Sequence, residues 1–303
     1  MSPQMSDAPS VGIGLVGTSL YARSVHAPAY ANGRETRLTG VWGRNASAAA
    51  EIAAEQGVPV CSRLEELIDI SDAVAFAIPA EVQAELAPIA ARAGKGLILE
   101  KPIARDLEAA ERLVDLIEDA DVPSQVLLTF RYAPSTETFL RHCTTLKPFG
   151  GHLRFVLDIR EVDIVRHRFT RDPADTLRDA GTHGLDLLEA ALGPIESIRG
   201  SNGNGWIALV LEHATGAVSS ASFCISLTGE MPPMQVEVYG ETGSARHDAV
   251  AIDRDVQAGF RPIDIAAEQF AAVMRSGSRH PLDARHGLRI HSLVDAAIRE
   301  VGA

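Results

Sequence analysis

The sequence predicts a two-domain α/β protein: an N-terminal Rossmann domain with a doubly wound parallel sheet, then an α+β domain with a mostly antiparallel open sheet. Three observations predict it. Up to about residue 125 short β-branched runs alternate with helical patterns, the rhythm of strand, crossover helix and parallel strand. From residue 195 strand patterns follow one another directly, separated by the turn signals Gly203-Asn-Gly205, Thr215-Gly216 and Glu241-Thr-Gly243. The 303 residues suit two domains of roughly 100 to 200 residues each. The expected domains are 10–125 and 126–303, with the C-terminal helix able to pack back on the first.

Taken in order, Val11-Gly-Ile-Gly-Leu-Val16 reads as the first strand, before a helix near 20–31, a strand over 36–42 and an Ala- and Glu-containing helix near 46–56. Ala73-Val-Ala-Phe-Ala-Ile78 is the next strand. A helix near 81–93 stops at Gly94-Lys-Gly96, and then come the strand Leu97-Ile-Leu99, an amphipathic helix near 105–120 and a strand near 124–129. Strands this uniformly apolar are buried on both faces. Beyond residue 130 the pattern gives a helix near 134–146, a strand near 151–160, an Arg- and Asp-rich stretch at 161–178, and a helix near 180–192 stopped by Gly193-Pro194. Strands are expected at 195–201, 205–212, 216–226, 234–240 and 243–248, and helices near 263–276 and 284–301.

Composition narrows the function. Hydrophobic residues at 46% and charged residues at 22% provide for a real core and exclude disorder or a disulfide scaffold as a global description. The 28 Lys and Arg against 40 Asp and Glu give a formal charge of -12, and no basic run is present, which argues against a nucleic-acid surface. Cys61, Cys143 and Cys224 are odd in number and far apart, so they form neither a metal clamp nor a disulfide framework, and a reducing cytoplasm fits best. The first nine residues read as a tail without a leader pattern, and no segment is apolar for the eighteen or so residues a membrane span needs.

Four segments carry chemistry. Gly12-Ile-Gly-Leu-Val-Gly17 matches GxGxxG literally, but it overlaps the strand, whereas a pyrophosphate loop follows the strand and opens a helix. Shifted to the turn, Gly17-Thr-Ser-Leu-Tyr-Ala22 keeps Gly17 for the tight turn and Ala22 for close helix packing, with Ser19 where a second glycine would stand. Its plain alternative is a small-residue strand end without ligand. At the end of the second strand Gly43-Arg-Asn45 lacks the acid that favours NAD. Arg44 could pair with a 2′-phosphate while Asn45 hydrogen-bonds it, so NADP is preferred and NAD is possible. Otherwise Arg44 is a solvated surface side chain.

Glu100-Lys-Pro102 follows a buried strand, at the sheet edge where open α/β folds bind ligands. Pro102 biases Lys101 toward an extended backbone and admits a cis peptide bond before it, aiming the lysine at a substrate oxygen; a lone Lys before Pro is otherwise a loop residue. Asp179-Ala-Gly-Thr-His183 enters a helix with Leu185, Leu188 and Leu192 on one face and Asp179, His183 and Asp186 on another. An imidazole beside a carboxylate suits the hydroxyl proton that moves with a hydride. An N-cap Asp179 with a merely packed His183 is one alternative, and a metal site is another, although no third ligand of fixed spacing is evident.

With these residues in view the chain resembles the Gfo/Idh/MocA family of NAD(P)-dependent oxidoreductases over about residues 10 to 301. The markers are Val11–Ala22 with His26-Ala-Pro28, Gly43-Arg44, Ala93–Pro102, Phe130-Arg-Tyr132, Asp179–Asp186 and Val236–Gly243. The resemblance implies that Gly17, Thr18, Ser19 and Leu20 contact pyrophosphate, Arg44 and Asn45 the adenosine end, and Ile78, Pro79 and Ala80 the adenine or ribose side. Gln83 and Glu100 join that cofactor set. It further implies Lys101 at the substrate oxygen and nicotinamide ribose, His183 in general acid/base work, Asp179 in substrate positioning, and Arg131, Tyr132 and Arg178 near the substrate, with no metal.

The implied reaction is hydride transfer to or from a sugar, cyclitol or related small molecule, in a homodimer or homotetramer built through the C-terminal sheet. Three departures stand out: Ser19 replaces a glycine, Gln83 stands where many relatives have histidine, and Asp175-Thr-Leu-Arg178 replaces a Gly-Gly pair. Ser19 and the altered segment before Asp179 keep open a sensor that binds NAD(P) without turnover.

Overall fold

The computed structural model describes residues 9–161, 166, 169–228 and 234–303. Its elements run β1 (Val11–Val16), α1 (Ala27–Ala31), β2 (Thr36–Trp42), α2 (Ala46–Gln56), α3 (Leu64–Asp69), β3 (Ala73–Phe76), α4 (Ala80–Arg92), β4 (Gly96–Leu99), α5 (Leu107–Asp119) and β5 (Ser124–Val126). After these come α6 (Pro134–Leu146), β6 (Pro148–Val156), α7 (Pro173–Thr176), α8 (Thr182–Leu192), β7 (Ile195–Gly203), β8 (Trp206–His213), β9 (Val218–Cys224), β10 (Gln235–Gly240), β11 (Gly243–Asp248), α9 (Ala249–Gln257), α10 (Pro262–Ser276) and α11 (Ala284–Glu300). Two compact units emerge. The first takes the chain up to Glu100 with Arg112–Leu127 and Ile263–Ala284; the second takes Lys101–Glu111, Leu128–Pro262 and Arg285–Ala303.

The first unit is a five-stranded parallel sheet in the order β2-β1-β3-β4-β5. A parallel bridge from Val60 to Val41 lies outside β2. Counting it as a strand position restores the 3-2-1-4-5-6 order of the dinucleotide fold, whose switch point falls between β1 and β3. Every residue of β1, β3 and β4 is buried, as the apolar runs require of strands covered on both faces. Gly12 and Gly14 lie inside β1, where an added Cβ would meet Thr39 at 2.7 Å and the Ser71 hydroxyl at 2.5 Å; they serve packing, and the turn begins at Gly17.

The second unit holds a six-stranded sheet, β11-β10-β6-β9-β8-β7, in which only β6 and β9 run parallel among the described strands. The alternation of β8 buries Ile207, Leu209, Leu211 and His213 and leaves Trp206, Ala208, Val210 and Glu212 outward. Both α6 and α8 pack against this sheet. Glu212, Val218, Gly150 and Tyr239 stand side by side on neighbouring strands, so the outward residues form one open face.

The structure differs from the sequence expectation in three places. The helix expected from about 180 is continuous from Pro173 to Leu192, through a π-type turn over Leu177–Gly181. Asp172 starts it, its side chain accepting from the amides of Ala174 and Asp175 at 2.7 and 3.4 Å with Pro173 at the first position, an N-terminal signal stronger than Asp179. Asp179 is therefore inside the helix and does not cap it. The helices α3 and α9 were not anticipated; α9 is capped by the Asp248 side chain accepting from Ala251 N–H at 3.1 Å. Part of the Arg- and Asp-rich stretch lies outside the described residues.

Candidate functional site

In the first unit the turn after β1 is fixed by its glycine. Gly17 has φ +143° and its missing Cβ would sit 2.5 Å from the Ala77 carbonyl oxygen, so a side chain is excluded both by conformation and by space. Gly17 N–H donates to Trp42 O at 2.9 Å and Ala77 N–H to Val16 O at 2.8 Å, tying together the ends of β1, β2 and β3. Thr18 presses on Gly43, where a Cβ would meet its methyl group at 2.5 Å. The Ser19 hydroxyl accepts from Ala22 N–H at 3.1 Å, and the helical ladder begins with Arg23 N–H to Ser19 O at 3.0 Å. Ser19 and Leu20 are exposed at this helix start, where unbonded amides and the helix dipole favour an anion.

The neighbouring strand ends contribute Arg44 after β2, and Ile78, Pro79 and Ala80 after β3. Arg44 is exposed and makes no hydrogen bond or ion pair with any described residue. Asn45 has a structural occupation: its side-chain oxygen accepts from Ala48 N–H at 3.1 Å and caps α2.

Gln83 is wholly buried, and its carboxamide grips the backbone of Glu100. Its Nε2 donates to Glu100 O at 3.0 Å and its Oε1 accepts from Glu100 N–H at 2.8 Å, which defines the peptide planes on both sides of Glu100. The Glu100 carboxylate in turn accepts from His26 Nε2 at 2.9 Å, and His26 Nδ1 lies 3.1 Å from the Tyr30 hydroxyl. A carboxylate can only accept, so His26 donates through Nε2. Both Gln83 and His26 thus brace the residue before Lys101. Only the i, i+4 spacing of His26 and Tyr30 hinted at this in the sequence.

In the second unit the Lys101 side chain is 8% exposed and its ammonium donates to the Asp179 backbone oxygen at 3.0 Å and to the Asp179 carboxylate. The Lys101–Pro102 bond is cis. His183, one helical turn after Asp179 and 9% exposed, lies flat on Phe130 with ring centroids 4.6 Å apart and planes 26° apart. Asp186 is 1% exposed and holds two partners. Its Oδ1 accepts from Arg131 Nη1 at 2.8 Å and from His286 Nε2 at 2.7 Å. No sequence pattern points to His286, a hundred residues away. Of the residues placed near a substrate, Tyr132 is 3% exposed, Arg131 faces Asp186, and Arg178 sits at the surface 3.4 Å from Asp175.

Among the described residues no group of three or more His, Cys, Asp or Glu side chains is suited to a metal, and no helix is long and apolar enough to cross a membrane. The cysteines are free and buried, and burial pushes the Cys143 thiol up to about 11, away from nucleophilic use at neutral pH.

The glycine turn, the sheet order and the strand-end residues coincide with a match of residues 11–128 to the oxidoreductase family with an NAD-binding Rossmann fold named for Gfo, Idh and MocA. Over that segment the chain is similar to the Gfo/Idh/MocA family. Inositol 2-dehydrogenase of Rhizobium meliloti is 24% identical over 324 aligned residues, covering 96% of this chain and 97% of that protein. An uncharacterized protein of Saccharomyces cerevisiae is 26% identical over 202 residues, 62% of this chain, and the match spans only 57% of that relative's length. The crystal structure of the WlbA dehydrogenase from Bordetella pertussis, in complex with NADH and UDP-GlcNAcA, has a TM-score of 0.84 at 19% identity and covers 96% of this chain and 95% of its own. At that identity it is a likeness of fold. That likeness of fold spans the parallel first sheet and the mostly antiparallel second one.

Proposed function

We propose that this protein is an NAD(P)-dependent oxidoreductase that moves hydride to or from a hydroxyl-bearing carbon of a sugar, cyclitol or related small molecule. The observation that carries the reading is the Lys101–Asp179 pair with His183 one turn further along the helix, in a chain whose first unit has the dinucleotide turn. The residues present suit the cofactor: Gly17 through Leu20 offer a close-approach turn and a helix start to the pyrophosphate, and Ile78 to Ala80 flank the adenosine side. Arg44, exposed and without a partner among described residues, suits a 2′-phosphate, so NADP is the preferred form. When bound, the nicotinamide supplies the hydride donor or acceptor.

The chain's own residues supply the rest. Asp179 fixes the direction of the Lys101 ammonium, which polarises the substrate oxygen, and His183 takes or returns the hydroxyl proton. Gln83 and His26 act through Glu100 to hold the peptide leading into Lys101. Ser19 replaces a glycine without loss of the turn, since its hydroxyl caps the helix; that departure lends no support to a non-catalytic sensor. A homo-oligomer through the open face of the second sheet, and a reducing compartment for the three free thiols, complete the reading.

The test is NADP(H) and NAD(H) binding by fluorescence, followed by turnover over a panel of polyols, cyclitols and sugars. Lys101→Ala and His183→Ala are expected each to lower kcat by about 10² to 10⁴-fold, the usual worth of a proton-transfer group, with dinucleotide affinity retained. Full turnover in both variants sinks the assignment; tight binding with no turnover on any compound favours the sensor.

A further inference from the structure

We propose that Phe130 and Arg131 are positioning residues for His183, two neighbours on one turn that grip helix α8 at two points and set the orientation of its imidazole. The proposal rests on the reading of His183 as the proton-handling group. Phe130 and Arg131 are consecutive in the 3₁₀ turn Thr129–Tyr132. Their partners, His183 and Asp186, are three apart on α8 and so share a face of that helix. One grip is the stack of Phe130 on His183; the other is the bond from Arg131 to Asp186 at 2.8 Å.

The two grips do different things. A flat ring contact fixes the plane of the imidazole and leaves it room to slide. An ion pair one turn further on fixes the rotation of the helix about its axis, and with it where the ring points. Both are backed from behind. Phe130 stacks on Phe155 with centroids 5.9 Å apart, and Phe155 on Phe223 at 6.4 Å. Phe223 also meets α8 itself, since a Cβ at Gly184 would lie 2.6 Å from its ring. The second grip is backed by His286 of α11, which donates to the same Asp186 oxygen at 2.7 Å. Arg131 thereby becomes a support of the site, in place of the substrate contact that the sequence suggested.

The test uses the ligand-free protein, so it does not depend on finding the substrate. Diethylpyrocarbonate modifies accessible imidazoles, and peptide mass mapping gives a rate for each histidine. His213 is the internal control: both ring nitrogens are tied, to Gly193 O at 2.7 Å and the Ser219 hydroxyl at 2.8 Å. Phe130→Leu and Arg131→Gln are each expected to raise the His183 rate several-fold with His213 unchanged, while Phe130→Tyr and Arg131→Lys restore slow modification. With an identified substrate, Phe130→Leu is expected to lower kcat about tenfold with KM unchanged, as misorientation of a reacting group does.

A His183 rate that ignores Phe130→Leu overturns the proposal. So does a parallel rise at His213, which signals general loosening, or an Arg131→Gln variant that raises KM alone with His183 unmoved, which returns Arg131 to the substrate. If no preparation turns over any compound and His183 still responds to Phe130, the clamp stands and the redox reading fails.

Discussion

The turn after β1 and the helix carrying Asp179, His183 and Asp186 handle charge in opposite ways. Around the turn, charge and polarity are left open: Ser19 and Arg44 are exposed, and Arg44 has no partner among described residues. Around the helix, charge is compensated inside the protein, with Lys101 on Asp179 and with Arg131 and His286 on Asp186. An open site is completed by a ligand that brings its own charge, as a phosphate does. A closed one has its geometry set before any ligand arrives, and a neutral substrate asks nothing more of it.

The comparison can be broken from either side. The largest effect is expected at Asp186, where alanine removes the acceptor shared by Arg131 and His286. Loss of one partner of a buried pair costs about 3 to 5 kcal/mol, so Asp186→Ala should lower the urea midpoint sharply, whereas a change within about 0.5 kcal/mol would show that the helix is not held by charge. At Arg44 the expected pattern is reversed. Arg44→Ala should leave the unfolding midpoint alone and weaken NADPH binding by roughly 10 to 100-fold, the worth of a charge-assisted hydrogen bond, with NADH affinity nearly unchanged; equal losses for both dinucleotides would remove the 2′-phosphate contact.

The smallest effect is in pH. Burial pushes the imidazoles of His247 and His291 below the ordinary 6.5. The unfolded chain then takes up protons near 6.5 that the folded protein refuses until lower pH, so stability is full above about 6.5 and falls as pH drops below it. His291 Nδ1 is also buried without a hydrogen-bond partner among described residues. His291→Gln should flatten the fall in Tm between pH 6.5 and 5, and an unchanged slope would mean that the burial of His291 does not contribute.

What could be read from the sequence was local. Alternation marks β8, apolar runs mark β1 and β4, and the pattern near 134–146 matches α6. The turn at Gly17 was separable from the glycines of the strand by its position alone. What could not be read was pairing across distance. The Gln83 grip on Glu100 joins residues 17 apart, Arg131 reaches Asp186 across 55, and His286 across 100. No periodicity records such bonds, because each partner satisfies its own local pattern whether or not the other is there. The start of the long helix at Asp172-Pro173 is by contrast a local signal, a capping carboxylate followed by proline.

The strand β5 is the edge of the first sheet, and it is finished by residues from the far end of the chain. Val126 N–H donates to Leu282 O at 2.7 Å, Gln125 Nε2 to Ala266 O at 3.0 Å, and Ala284 N–H to the Ser124 hydroxyl at 3.0 Å. On the ribosome this edge must wait, exposed, until residues 263–284 have been made and the whole of β6 to β11 has passed. Synthesis therefore starts the first unit first but completes it only after most of the second has been made, and a fragment ending near residue 130 would leave a bare strand edge of the kind that associates with other chains.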